Sequence, residues 1–174
     1  SNSELGRPSA EEFALMGRMP VVVVLDNVRS MNNVGSFFRT CDAFAVEKII
    51  LCGITGTPPD REIHKTALGA ENTVKWEYHK SSAEAVRGLI EDGYSAMAVE
   101  QAEGASMLDD INIDTGKKYA LVFGNEVEGV AQEVIDICRH AIEIPQVGTK
   151  HSLNVAVSGG VVLWSFFCAY KKER

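Results

Sequence analysis

The chain is poor in cysteine: four in 174 residues, Cys41, Cys52, Cys138 and Cys168, with no C-x-x-C pair among them. Its four histidines form no pair at ligand spacing either, so neither a zinc site nor a disulfide framework is suggested, and no metal is expected. Each cysteine stands in an apolar context, where a small buried thiol is expected rather than a nucleophile. Positive charge is also short, with 17 Lys and Arg against 24 Asp and Glu, a net charge of −7 and a pI near 5.1. That balance argues against nonspecific coating of nucleic acid, which rests on cation–phosphate attraction, but leaves room for a local patch. Long apolar runs are lacking as well. The longest, Val155 to Ala169, contains two serines and two glycines and falls short of a membrane span. No signal peptide is read before Glu4, so a cytoplasmic protein without a membrane partner is expected. Finally, no G-x-G-x-x-G or G-x-x-x-x-G-K-[ST] is present, and a phosphate cradle is not supported.

What is present is a globular composition, 45% hydrophobic and 24% charged, enough for one substantial core. Residues 1–19 read as a polar lead-in with a short helix after Pro8, where Glu11 and Glu12 suit a helix N-terminus. From residue 20 to 174 the pattern is one domain. Pro20 opens VVVVL, a β-branched run without alternation, as a strand buried on both faces reads. A helix over Gly35–Phe44 and a strand over Lys48–Gly53 complete a βαβ unit. The rhythm continues with a helix at Asp60–Ala67, a strand at Thr73–Tyr78, a helix at Ser82–Glu91 and strands at Tyr94–Val99 and Tyr119–Phe123. A helix at Val130–Ile137, a strand at Ala141–Ile144 and a long apolar helix opening at Ser152 follow. Such alternation implies a mostly parallel sheet covered on both faces.

In such sheets ligands bind beyond the carboxyl ends of the strands. Three loops leave these ends with unusual content: N-x-G-x-x-x-R from Asn33 to Arg39, G-N-E-x-x-G from Gly124 to Gly129, and I-P-x-x-G-x-x-x-S-L-N from Ile144 to Asn154. Arg39 suits a phosphate or a developing negative charge; a surface salt bridge to Asp42 or Glu47 is the alternative. Glu126 suits either a contact to a ligand or arginine, or a helix N-terminal charge. Ser152 reads as an N-cap, with Asn154 projecting from the first turn. Leu153, Val157, Val161, Trp164 and Cys168 share one helix face, which suits core packing or a dimer interface.

The ordered set of loops resembles the three signature motifs of the SpoU family, also called TrmH-type, within the SPOUT superfamily of RNA 2′-O-methyltransferases. The likeness spans about Val21 to Tyr170. It implies a Rossmann-like α/β sheet whose C-terminal segment is threaded into a deep trefoil knot, an exception to the usual absence of knots. It also implies a homodimer with an active site assembled from both chains, S-adenosylmethionine as cofactor, and tRNA or rRNA as substrate. Carried over by position, Arg39, Asn33, Glu126, Ser152 and Asn154 match the catalytic residues. Gly124, Asn125, Gly129, Ile144, Gly148, Ser152 and Leu153 match the cofactor-binding loops, whose backbone reads the adenine. Arg29, Arg39, Lys150 and His151 are the candidates for RNA contact. The family assigns Arg39 activation of the ribose hydroxyl; stabilising the alkoxide and the neighbouring phosphate is the other role open to so basic a group. Gln146 stands where methionine is usual, and Ala156 and Ser158 replace the more frequent serine and alanine. The rival reading is a knotted RNA-binding protein that has lost catalysis.

Overall fold

A computed structural model describes residues 5–173. The first four residues of the expected lead-in, and residue 174, lie outside the described residues. The lead-in carries the short helix α1, Ala10–Leu15, closed by a capping box between Ser9 and Glu12, and it buries no residue. The body alternates β1 (Met19–Asp26), α2 (Met31–Ala43), β2 (Val46–Cys52), α3 (Arg61–Ala67), β3 (Trp76–His79), α4 (Ser82–Glu91) and β4 (Tyr94–Val99). It continues with β5 (Ser106–Met107), β6 (Lys118–Phe123), α5 (Gln132–Cys138), β7 (Ala141–Glu143) and α6 (Val155–Lys172).

The seven strands form one sheet in the order β3-β2-β1-β6-β4-β7-β5, and every pairing is parallel. The expected α/β architecture with helices on both faces is therefore present. Strand β1 shows why its sequence has no alternation. Val21, Val23 and Leu25 face a core shared with Phe37 and Phe38 of α2, Ile63 of α3 and Val162 and Phe166 of α6. Val22 and Val24 face the opposite core with Val86 of α4 and Val134 of α5. Strand order turns at β1, which has β2 on one side and β6 on the other, so the loops after β1, β6, β4 and β7 open at the same end.

The long helix α6 lies on the α2 side. Gly159 lets it approach α2 closely, because an added Cβ would collide with the buried Phe37 ring. On this face Leu108, Ile111 and Ile113 of the segment from β5 to β6 join the core that α6 serves, and the Tyr170 hydroxyl donates to the Lys117 carbonyl at 2.6 Å.

Several boundaries differ from expectation, each for a local reason. Helix α2 opens at Met31, four residues before Gly35, because the Ser30 hydroxyl caps it by accepting from Asn33 N–H at 3.2 Å. Helix α6 opens at Val155, and its cap is Asn154, not Ser152: the Asn154 Oδ1 accepts from Ala156 and Val157 N–H at 2.8 and 3.1 Å. Strand β3 starts at Trp76 because residues 70–72 form a 3-10 turn, with Thr73 tied back to Asp42. Strand β5, two residues long, carries no signal that a pattern of alternation could register.

The face of α6 read from the sequence divides cleanly. Leu153, just before the helix, and Val157, Val161 and Trp164 are exposed, so that stripe is not core; the core is served by Val162, Leu163, Phe166 and Tyr170. Cys41, Cys52 and Cys138 are buried as expected, whereas Cys168 is only half-buried. Burial pushes the Cys52 and Cys138 thiols up to about 12, which removes the thiolate a nucleophile requires.

Candidate active site

A cavity of about 450 Å³ opens at the shared carboxyl end of β4, β6 and β7. Its walls come from the turn after β6, the loop between β7 and α6, and the residues that follow β4. The size suits a single small ligand.

The turn after β6 is a tight structure that only its glycines permit. Asn125 and Gly129 exchange backbone hydrogen bonds at 3.0 and 2.8 Å, and Gly129 has φ +72°. A Cβ on Gly124 would collide with the backbone of Gly129 and Val130, and one on Gly129 with the Glu100 carboxylate. The Asn125 side chain completes the turn by accepting from Val127 and Glu128 N–H, while its Nδ2 donates to the Asn27 carbonyl at 2.8 Å.

Glu126 reaches out of this turn to the opening of α2. Its carboxylate accepts from Arg29 N–H at 2.8 Å, Ser30 N–H at 2.9 Å and Asn33 Nδ2 at 3.0 Å. Glu126 is thus a helix N-terminal charge, but for α2 rather than for the helix that follows it. Burial pushes this carboxyl up, yet the three donors outweigh burial and hold it below the usual carboxylate range. Asn33 continues the chain, its Oδ1 accepting from Asn154 Nδ2 at 3.2 Å. Asn154 in turn caps α6. One continuous path of hydrogen bonds therefore joins all three motif loops.

Of the residues expected from sequence, Gly124, Asn125, Glu126, Gly129, Ile144, His151, Ser152, Leu153 and Asn154 line the cavity. Asn33 joins it through Glu126 and Asn154, and Arg29 through its backbone alone. Gly148 and Lys150 are exposed and stand outside the lining, and a Cβ on Gly148 would meet open space. Arg39 is also outside it. Since α2 opens at Met31, Asn33 sits inside the first turn and Arg39 roughly 9 Å further along the axis. Among the described residues Arg39 is exposed and makes no ion pair or hydrogen bond. Asp42 instead accepts from Thr73 Oγ1 at 2.6 Å, and Glu47 from the Tyr94 hydroxyl. The surface salt bridge is therefore absent.

The sequence reading missed Glu100 and Gln101, which follow β4 directly and line the cavity. Their position just past a strand's carboxyl end was the available signal. Glu100 accepts from Val130 N–H at 2.9 Å, and Gln101 Nε2 donates to the His151 carbonyl at 2.7 Å, tying the β7–α6 loop in place. With Glu100, Glu126, Glu128 and Glu143 and no lysine or arginine in its lining, the cavity suits a ligand bearing positive charge and no phosphate. No group of acidic, histidine or cysteine side chains among the described residues is arranged to hold a metal ion, and no described helix is long and apolar enough to cross a membrane.

The fold and cavity define an α/β protein with a cavity sized for a small ligand beyond the carboxyl ends of β4, β6 and β7 in a parallel sheet. Comparison with known proteins makes this specific. The family model described as "SpoU rRNA Methylase family" matches residues 20–164. The chain belongs to that family. It is 33% identical, over 162 residues covering 93% of this chain and 81% of the relative, to the tRNA (guanosine(18)-2′-O)-methyltransferase of Thermus thermophilus. It is 31% identical to the 23S rRNA (guanosine-2′-O-)-methyltransferase RlmB of Neisseria meningitidis, covering 83% of this chain but 56% of that one. Among solved structures, the A. aeolicus TrmH/SpoU tRNA modifying enzyme shares the fold with a TM-score of 0.83 at 24% identity, covering 94% of this chain and 82% of that one. The AdoMet-bound rRNA methyltransferase of Sinorhizobium meliloti superposes with a TM-score of 0.81 at 26% identity, covering 90% and 60%. These relatives are named as enzymes, which gives the inactive alternative no support.

Proposed function

We propose that this chain is an S-adenosylmethionine-dependent RNA methyltransferase that modifies a ribose 2′-hydroxyl of tRNA or rRNA. The observation that carries the reading is the hydrogen-bond path Glu126–Asn33–Asn154, which gathers three loops of a family of such enzymes around one cavity. The cavity fits the cofactor chemically: its acidic lining, without lysine or arginine, matches a sulfonium that carries no phosphate, and the glycines at 124 and 129 expose backbone to an adenine. Bound there, the cofactor supplies an electrophilic methyl group. Gly124, Asn125, Gly129, Ile144 and Leu153 hold it, while Asn33 and Asn154 keep the loops in register. Ser152, exposed and free of hydrogen bonds among the described residues, is available to substrate.

In this reading the active unit is a homodimer, and one protomer's Arg39 serves the cavity of its partner. Two features support it: Arg39 stands outside its own cavity, and the stripe of Val157, Val161 and Trp164 is exposed. There the guanidinium binds the phosphate beside the reacting ribose and stabilises the developing alkoxide, with Arg29, Lys150 and His151 meeting the RNA. Holding the hydroxyl in line with the methyl supplies most of the rate, for which orientation contributes roughly 7–11 kcal/mol. Residues 20–174 form the catalytic domain behind the lead-in 1–19. In this reading the β7–α6 segment is threaded as a deep trefoil knot, and the contact of α6 with the segment from β5 to β6, at Tyr170 and Lys117, supports it. Acting on such RNA places the protein in the cytoplasm.

Arg39→Ala is expected to lower methyl transfer at least roughly a hundredfold, the scale of removing one charge-stabilising group. Calorimetric affinity for the cofactor should stay within about twofold. Unchanged turnover of Arg39→Ala on an RNA that the unsubstituted chain methylates would overturn the role given to Arg39.

A further inference from the structure

The turn that bears Gly124 to Gly129 is held from beneath by two carboxylates that lie outside all three motifs. Glu100, just after β4, accepts from Val130 N–H, and Asp26, at the end of β1, accepts from the very next amide, Ala131 N–H, each at 2.9 Å. These two bonds satisfy the amides just before α5, which starts at Gln132 with Ala131 at φ −57° and ψ 138° and without a side-chain cap. Asp26 is 2% exposed, and no lysine, arginine or histidine among the described residues pairs with it. Its charge is met instead by donors: Ala131 N–H on one oxygen, Ser82 Oγ at 2.6 Å and Asn27 Nδ2 at 3.0 Å on the other. Ser82 is the first residue of α4, whose N-terminal dipole favours an anion there.

Asn27 makes this carboxylate part of the site rather than a remote core feature. It sits at φ +56°, its Oδ1 accepts from Ile54 N–H at 2.9 Å, and its carbonyl accepts from Asn125 Nδ2. Asp26 therefore grips both ends of the turn, directly at Ala131 and through Asn27 at Asn125. A fully buried carboxylate without a cation is costly, and a plain strand end does not require one. We infer that Asp26 is the positioning residue of the cofactor turn, setting the height at which its backbone meets the ligand, with Glu100 as its neighbour on the same stretch. The inference rests on the cavity being the S-adenosylmethionine site.

The test is Asp26→Asn in the full chain. An amide keeps one acceptor and turns an NH₂ toward either Ala131 N–H or the Ser82 and Asn27 donors, so one side of the grip is lost. The affinity for S-adenosylmethionine by calorimetry should fall roughly tenfold, the scale of one charge-assisted hydrogen bond. Turnover at saturating cofactor should stay within about threefold, because the turn holds the cofactor and not the RNA. Ser82→Ala is the control: it removes a donor from α4 that itself touches no residue of the turn and leaves both the Ala131 and the Asn27 bonds in place, so the urea midpoint should fall while cofactor affinity stays within about twofold. A folded Asp26→Asn that binds as the unsubstituted chain does would overturn the inference. If that variant does not fold, amide exchange on the unsubstituted chain decides: cofactor should slow exchange at Ala131 together with Val127 and Glu128. Slowing at Val127 and Glu128 with Ala131 unaffected would count against it. An unsubstituted chain that binds no cofactor refutes the reading of the cavity itself, and the inference with it.

Discussion

At the scale of single residues, the two polar side chains that precede α6 have different work. Asn154 caps the helix and reaches Asn33, whereas Ser152 makes no hydrogen bond among the described residues. Asn154→Ala should therefore lower stability by about 1 kcal/mol or more in urea unfolding, and Ser152→Ala by less than about 0.5 kcal/mol. The sequence could not separate them, since serine and asparagine are both good caps and stand two positions apart; only the path of the chain decides which carboxamide or hydroxyl meets free N–H groups. Glu126 was legible as a charge near a helix start, but the helix it serves is 96 residues away in sequence, from Ser30 to Glu126. Its folded pKa lies below its unfolded value, so its bracing is complete above the ordinary glutamate pKa of about 4.3 and is lost as pH falls through the lower folded value. The gap in urea midpoint between the unsubstituted chain and Glu126→Gln should thus be constant near neutrality and close below about pH 4. A gap that persisted in strong acid would mean the carboxylate charge is not what braces α2.

At the scale of elements, β1 was the most legible, because burial on two faces demands a β-branched run that few other structures tolerate. Helix ends were less so, and the reason lies in long-range donors and acceptors. The start of α5 falls at Gln132 because Ala131 is non-helical, and the amides of Val130 and Ala131 before it are met by Glu100 and Asp26, far away in sequence. No window of sequence around Val130 contains that information. The joint of α2 and α6 depends on Gly159 against Phe37, whose ring packs at 5.0 Å on Phe123 and cannot retreat. In an exposed helix, glycine to alanine stabilises by up to about 1 kcal/mol. Here the collision wins: Gly159→Ala should destabilise by roughly 1–3 kcal/mol, read as a lower urea midpoint at unchanged slope. A stabilised variant would show that the two helices have room to separate.

At the scale of the molecule, the absence of a phosphate loop and the order of the three motifs led in the same direction, since S-adenosylmethionine has no phosphate to cradle, whereas the acidic lining of the cavity emerged only from the fold. The three loops were legible because each interrupts a regular α/β rhythm with residues that neither strand nor helix needs. What they share was not: the path from Glu126 through Asn33 to Asn154 spans 121 residues between its last two members and exists only once the sheet has brought strand ends together. Arg39 shows the converse, a motif residue that one chain leaves apart from its own cavity. The most direct measurement is the mass-spectrometric analysis of nucleosides from RNA of cells lacking the protein, after incubation with the purified chain and S-adenosylmethionine. The account predicts new 2′-O-methylnucleosides that Arg39→Ala does not form. Methylation found only on bases, or no methyl transfer to any RNA, would contradict it.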